Sequence, residues 1–238
     1  MLLENECYPD DLRVQNEALA LTEAGYAVTV LSAGEPQQKW CESVDGVRVV
    51  RYRAPREGNG VWGYLWEYSY ALAATLVLSM YVYCRYGFDV IHAHNPPDLF
   101  VLVALPYRLL GVRFVFDHHD LAPEMYEARF RRAGHPIVLR VLRWFEWLSC
   151  RAANHVIATN ESYRRLDIQR NGVKPENVTV VRNGPDLEKF HLVPPEPTLA
   201  AFPGTVIGYV GVMGYQDGVD YLLRALKKLR DDLHREDF

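Results

Sequence analysis

The sequence predicts an α/β fold, a doubly wound and mostly parallel sheet, and three observations predict it. Strand-like and helix-like segments alternate at nearly every step of the 238 residues, the pattern of successive strand–helix–strand crossovers. Runs such as "VTVLS" and "FVF" are apolar at consecutive positions, as strands covered by helices on both faces should be. Polar residues gather just after several of these runs, where open α/β sheets place their ligands.

The elements follow in order. "MLLEN" reads as a short first strand. "DDLRVQNEALALTEAG" has Leu12, Asn16, Leu19 and Ala20 at helical spacing and stops at Gly25. "YAVTVLS" is a β-branched strand running into the turn "AGEP", and "GVRVVRY" alternates apolar and basic residues like a strand near an edge. "YSYALAATLVLSMYVYC", residues 68–84, carries no charge over 17 positions. It is at the short limit for a membrane span, and Ser69, Thr75, Ser79 and its tyrosines favour a buried or half-buried helix, with a membrane-surface helix as the alternative. Then come a strand "DVIHAH", a helix "PDLFVLVALPYRLLG", a strand "VRFVFD", a helix "HPIVLRVLRWFEWLSCRA", a strand "NHVIATN", a helix "ESYRRLDIQRNG" and a last strand "ENVTVVRN".

These elements place one α/β domain at residues 1–182. Residues 183–204 contain five prolines and no periodicity, and are expected to be a linker. Residues 205–238 offer "VIGYVGVMG", a strand leading into a glycine-rich turn, and "DGVDYLLRALKKLRDDL", an amphipathic helix. One strand and one helix cannot bury a core of their own, so they are expected to be the incomplete start of a second domain.

Charge is uneven within a net value of -4. Residues 1–99 carry 7 basic and 13 acidic side chains, residues 100–175 carry 12 and 7, and residues 176–238 carry 7 and 10. That excludes a general nucleic-acid coat and leaves room for an anionic ligand in the middle third. Cys7, Cys41, Cys84 and Cys150 are widely spaced, with no CxxC pair and no signal peptide ahead of them, so reduced thiols in a cytoplasmic protein are expected.

The densest chemistry is "FVFDHHDLAPE", two histidines between two aspartates. His92 and His94, two apart on a strand, point to one face, and with His118, His119, Asp117 and Asp120 they give six potential metal ligands. The segment after "HAH" supplies no third histidine at a metallo-hydrolase spacing, and Asp117 and His118 cannot share a face of an extended backbone, so no metal is expected. The plainer alternative makes His92 a satisfied strand histidine and "DHHD" a helix-capping turn, with Glu124 near the start of the next segment. A nucleophilic triad has no support, because the chain lacks a GxSxG elbow.

"PDDLRVQNEALALTEAGYAVTVLS", "DVIHAHNPPDLFVLVAL", "VRFVFDHHDLAPEMY", "ANHVIATNESYRR", "VTVVRNGPDLEKF" and "IGYVGVMGYQDGVDYLLRAL" resemble, in this order, the landmarks of the family 4 retaining glycosyltransferases of GT-B fold. The resemblance implies two Rossmann-like lobes facing across a cleft, an amino-terminal acceptor lobe and a carboxyl-terminal nucleotide-sugar lobe. It implies a hexosyl transfer from a nucleotide sugar to an acceptor hydroxyl, with no cofactor and no metal. It assigns catalysis to His119, with His118 as second choice, beside the transferred sugar, with Asp117 and Asp120 orienting the rings. Acceptor contacts would come from Asp11, Arg13, His94, Asn95, Glu124 and Asn160. Donor contacts would come from Asn183, Gly211 and Gly214, next to Gly184 and Asp186.

Two departures qualify it. Val212 and Asp217 stand where relatives carry an arginine and a lysine, and the family's paired glutamates have no counterpart, so the isolated chain is expected to be a truncated form, not competent alone. A non-catalytic, glycosyltransferase-like binding half that needs a partner chain is the alternative, and a metal-dependent hydrolase the third reading. Finally, Arg140, Arg143, Trp147 and Arg151 fall on one helical stripe, opposite Val138, Leu142 and Phe145. Such a stripe suits anionic headgroups as well as plain solvent. A glycan or lipid-linked acceptor, peripheral contact with the inner face of a membrane, and no nucleic-acid partner are the corresponding expectations.

Overall fold

The computed structural model describes residues 1–54, 60–130, 134–184, 190–211, 213–214, 217–235 and 237–238, without the side chains of 5, 60–62, 64 and 65. It divides into two compact units, Met1–Met125 with His135–Asn183, and Tyr126–Gly134 with Gly184–Phe238.

The first unit is an eight-stranded sheet of β1 (Leu2–Cys7), β2 (Thr29–Gly34), β3 (Cys41–Val44), β4 (Val47–Arg53), β5 (Val90–His94), β6 (Arg113–His118), β7 (His155–Ala158) and β8 (Val178–Val180), in the order β3-β4-β2-β1-β5-β6-β7-β8. Every neighbouring pair is parallel except β3–β4. From β1 the chain builds outward through β2 and β4, then returns to the other side of β1 and continues through β5 to β8. The strand order therefore reverses between β1 and β5, and ligand crevices open at such a switch point.

Successive residues of a strand turn to opposite faces, and both faces are covered. Leu3, Val30, Val47 and Val49 pack against Val14 and Ala18 of α1 (Leu12–Glu23). Leu2, Leu31, Val50, Ile91, Phe114 and Phe116 pack on the other side, with Val82 of α2 (Gly60–Tyr86), Val101 and Ala104 of α3 (Val101–Leu109), and Cys150 and Ala152 of the later α5 (Pro136–Ala152). Between α3 and α5 runs α4 (Ala122–Arg129), and α6 (Glu161–Gln169) joins β7 to β8. The doubly wound sheet is thus present.

One strand escaped the sequence reading. β3 pairs with β4 through a hairpin whose turn residues, Asp45 and Gly46, have φ of 51° and 83°, the Asp-Gly signature of a tight primed turn. The alternation in β4 also hid an inversion, since Arg51 is buried at 6% exposure. Its guanidinium reaches Glu42 Oε1 at 2.5 Å and donates to the carbonyls of Lys39 and Tyr8, each at 3.0 Å.

α2 spans 27 residues, with Ala71, Thr75, Ser79 and Val82 buried on one stripe. No helix among the described residues is long and apolar enough to cross a membrane. In the second unit, α7 (Pro197–Ala200) and α8 (Val219–Asp231) form, the latter started by Gly218 at φ 66°. The strand expected in "VIGYVGVMG" does not form over residues 206–211, 213 or 214. A strand needs a neighbour to take its backbone N–H and C=O groups, and the described residues of this unit supply none.

Candidate active site at the sheet switch point

Next to β1 the α1 face of the sheet turns from apolar to polar. His92 and His94 on β5 and Asp117 on β6 share that face, because His94 is the register partner of Asp117. His119 follows two residues later, on the same side as Asp117. Asp117 Oδ2 lies 3.2 Å from His94 Nδ1, 3.2 Å from His119 Nε2 and 3.4 Å from His92 Nε2. The rings stack, His92 on His94 with centroids 4.3 Å apart and His94 on His119 at 5.7 Å.

α1 closes the cluster. Its N-cap Asp11 accepts from the backbone N–H groups of Arg13 and Val14 and binds the Arg13 guanidinium through Nε at 3.0 Å and Nη2 at 2.8 Å. One turn on, Glu17 Oε2 stands 3.5 Å from His92 Nε2 and 3.9 Å from His94 Nε2. Asn95 ties the β5 and β6 ends together. Its Oδ1 accepts from the backbone N–H groups of His119 (2.7 Å) and Asp120 (3.0 Å), and its Nδ2 donates to Asp98 Oδ1 (3.0 Å) and the Asp120 carbonyl (2.6 Å).

Burial alone would raise the Asp117 carboxyl, but the imidazoles of His119, His92 and His94 outweigh it and hold it well below the ordinary carboxylate range. Burial, then repulsion from His92, brings His94 down to about 3, so its ring is neutral. Glu17 is pushed up to about 9, first by burial and then by Asp117. Among these three groups Asp117 alone is charged, a buried carboxylate beside a protonated Glu17 and a neutral His94 imidazole. Glu17, His94, Asp117 and His119 nevertheless bring one ligand atom each within 4.8 Å of one another, a donor set that zinc would accept.

A pH dependence follows. Glu17, whose folded value of about 9 lies above its unfolded value near 4.5, contributes stability in full below pH 4.5 and loses it as pH rises through 9. His94 behaves oppositely, with its contribution complete above about 6.5 and lost as pH falls toward 3. Glu17 faces His92 and His94 of β5, Asp117 of β6, and Asp11 and Arg13 at the start of its own helix. Thermal melts are expected to weaken from about pH 6 to about pH 9, and Glu17→Gln, uncharged throughout, should flatten that alkaline limb. An unchanged slope in the variant would show that Glu17 is ionised in the fold.

The other sequence-predicted residues sort by geometry. Asp11, Arg13, His94 and Asn95 all gather at this cluster. His118 does not. It turns to the opposite face, is fully buried, and sets Nδ1 2.8 Å from Asp167 Oδ1 of α6, so Asp167 orients it rather than Asp117 or Asp120. Asp120 orients no ring either; its carboxylate lies 4.0 Å from Arg13 Nη1. Glu124 is ion-paired with Arg170, and Asn160 caps α6 by accepting from the backbone N–H groups of Ser162 and Tyr163. Both are occupied in holding the fold. Asn183 and Gly184 are exposed, Gly211 has φ 152°, and the Gly214 amide, expected to meet a phosphate, donates to Asp217 Oδ2 at 2.7 Å. Asp186 and Val212 lie outside the described residues. Sequence reasoning missed Glu17, whose only signal was its place one turn beyond Arg13 on the same helix.

The model of the family described as Glycosyltransferase Family 4 matches residues 12–189, and the chain belongs to that family. It is 26% identical over 227 residues to a 2-deoxystreptamine glucosyltransferase of Streptomyces kanamyceticus, covering 89% of this chain and 57% of that protein. Among solved structures it is similar to a sucrose-phosphate synthase of Thermosynechococcus elongatus, with a TM-score of 0.61 and 17% identity over 81% of this chain and 50% of that one. A second structure of that synthase superposes with a TM-score of 0.53 over 79% of this chain and 91% of the solved chain. The chain thus spans little more than half the length of the curated relative it matches.

Proposed function

We propose that this chain is the acceptor-side part of a cytoplasmic enzyme that transfers a hexosyl group from a nucleotide sugar to a hydroxyl of a glycan or lipid-linked acceptor, with retention of anomeric configuration. His119 is the catalytic residue of the reading, and Asp117 positions it. What carries the reading is the Asp117–His119 pair at the carboxyl end of β6, beside the switch point. Among the described residues His119 Nδ1 has no hydrogen-bond partner, while Nε2 faces the Asp117 carboxylate. With the proton on Nε2, Nδ1 presents a lone pair that accepts from a sugar hydroxyl. The ionised carboxylate behind the ring also favours positive charge growing at the anomeric carbon. The His119 side chain is only 3% exposed, so a sugar reaches Nδ1 only after a local rearrangement around the ring. Acceptor hydroxyls are assigned to Asp11 and Arg13 at the start of α1, and of the two Arg13 is the open one, its side chain 30% exposed against 2% for Asp11.

The donor diphosphate is assigned to the glycine turn around Gly211 and Gly214, and Asn183 is assigned to the donor as well. The described residues of that unit include two helices and no strand, so the 238-residue chain alone is expected to bind nucleoside diphosphates weakly and to transfer no sugar. Transfer is expected of any longer gene product that contains this chain, assayed against a panel of nucleotide hexoses with the product anomer read by NMR. Failure to transfer while still binding sugars would favour the non-catalytic half. An inverted product would remove the retaining assignment. The converging donors around Asp117 favour the hydrolase as the competing reading, and metal analysis of the purified protein tests it. Well under one zinc per chain is expected, and one tightly held zinc would overturn the imidazole assignment.

A further inference from the structure

The sequence set Arg140, Arg143, Trp147 and Arg151 of α5 against an apolar opposite face, but the fold does not keep the two apart. Ile137, Val141, Trp144 and Trp147 are themselves 61%, 45%, 51% and 43% exposed. At helical spacing Arg140, Trp144, Trp147 and Arg151 form one outward row, with Ile137 and Val141 beside it. Arg140, Arg143 and Arg151 are exposed with them, Arg151 also donating to the Gly172 carbonyl. The helix has a single carboxylate, Glu146, and it is fully buried, turned inward to Arg170. The outer face of α5 therefore combines two tryptophans, two aliphatic side chains and three arginines with no acid of its own.

The neighbouring helices extend this surface. α3 contacts both α5 and α2, and all three lie on the same face of the sheet. α2 exposes Val77, Met80 and Tyr81, α3 exposes Leu102, and from residue 68 to the end of α2 the only charge is Arg85. Solvated helix faces are charged and mixed in sign, whereas this one is apolar and of one sign.

We propose that the α5 face, continued over α3 and α2, is a docking surface for an anionic lipid bilayer. Tryptophan prefers the headgroup boundary, where its ring is in apolar contact and its N–H stays hydrated. Arginines flanking such rings meet lipid phosphates, and no exposed carboxylate of α5 opposes them. Charge complementarity selects this occupant over a second copy of the chain, because two such faces would bring six arginines together. The contact is with the surface of the bilayer, since no helix among the described residues is long and apolar enough to cross it. The proposal stands apart from the assignment of His119.

The test uses the full 238-residue chain and vesicles of phosphatidylcholine with and without phosphatidylglycerol. Sedimentation is expected to recover the chain only with the anionic vesicles, with tryptophan emission shifting to the blue. Arg140→Gln with Arg143→Gln should weaken binding on the order of thirtyfold, and raised salt should weaken the wild type further. Trp144→Ala with Trp147→Ala should abolish most of the blue shift while both variants keep the wild-type melt. Absence of binding, equal binding to both vesicle types, or unchanged binding of the arginine variant would overturn the proposal. So would a dimer in sedimentation velocity that the tryptophan variant dissolves.

Discussion

Replacing His119 by alanine is expected to lower kcat of the transfer-competent protein by about a hundred- to a thousandfold, the range seen when one preorganised polar contact to a developing charge is removed. KM for the nucleotide sugar should change much less, because the nucleotide is assigned to the other end of the chain. The argument rests on what holds the ring. Asn95 fixes the His119 backbone N–H at 2.7 Å and Asp117 faces Nε2 at 3.2 Å, so the imidazole is placed before any substrate arrives. Asp117→Asn tests the positioning role separately. The neutral amide keeps the shape but removes the negative charge behind the ring, so kcat should fall while KM and the fold persist. A structural role alone would lower stability and leave kcat of the folded protein unmoved. Unchanged kcat in His119→Ala would end the assignment.

The extent to which this was legible in sequence can be argued from particular residues. Apolar runs such as "FVF" identify strands because burial on both faces requires consecutive apolar side chains, and that pattern is local. β3 was overlooked because "CESV" lacks the apolar run, although Asp45-Gly46 announced its turn. The buried Arg51 could not be foreseen from alternation, since its burial depends on Glu42 across the hairpin and on the Tyr8 carbonyl 43 residues away. The choice between His118 and His119 needed one further fact, which side of β6 meets α1. Strand geometry says that the two rings oppose each other, and only the packing of Glu17 against His92 says which is which. The structural parts played by Glu124 and Asn160 were hidden for a related reason. A polar residue near a strand end serves a helix cap or an ion pair as readily as a ligand, and Arg170, the partner that decides for Glu124, lies 46 positions further along.

The largest stability effect is expected at Arg170, and the reason is an asymmetry of burial. Glu146 of α5 is fully buried, and its carboxylate accepts from Arg170 Nε at 2.9 Å, Arg170 Nη2 at 2.5–2.6 Å and Asn171 Nδ2 at 2.8 Å. Asp167 sits beside it, facing His118 Nδ1 at 2.8 Å and accepting from Asn171 Nδ2 at 3.3 Å. Arg170 is the cation paired with Glu146, and its side chain is 31% exposed. Arg170→Ala therefore strands a carboxylate away from water, next to a second acid, and should cost about 3–5 kcal/mol. Glu146→Ala leaves an arginine that water and Glu124 still reach, so the cost should fall to about 1–3 kcal/mol. Arg170→Met with Glu146→Leu removes both charges and should recover most of the loss. Urea denaturation at constant m reads all three. If Glu146→Ala proves as damaging as Arg170→Ala, burial is not what sets the cost, and the network contributes through its geometry instead.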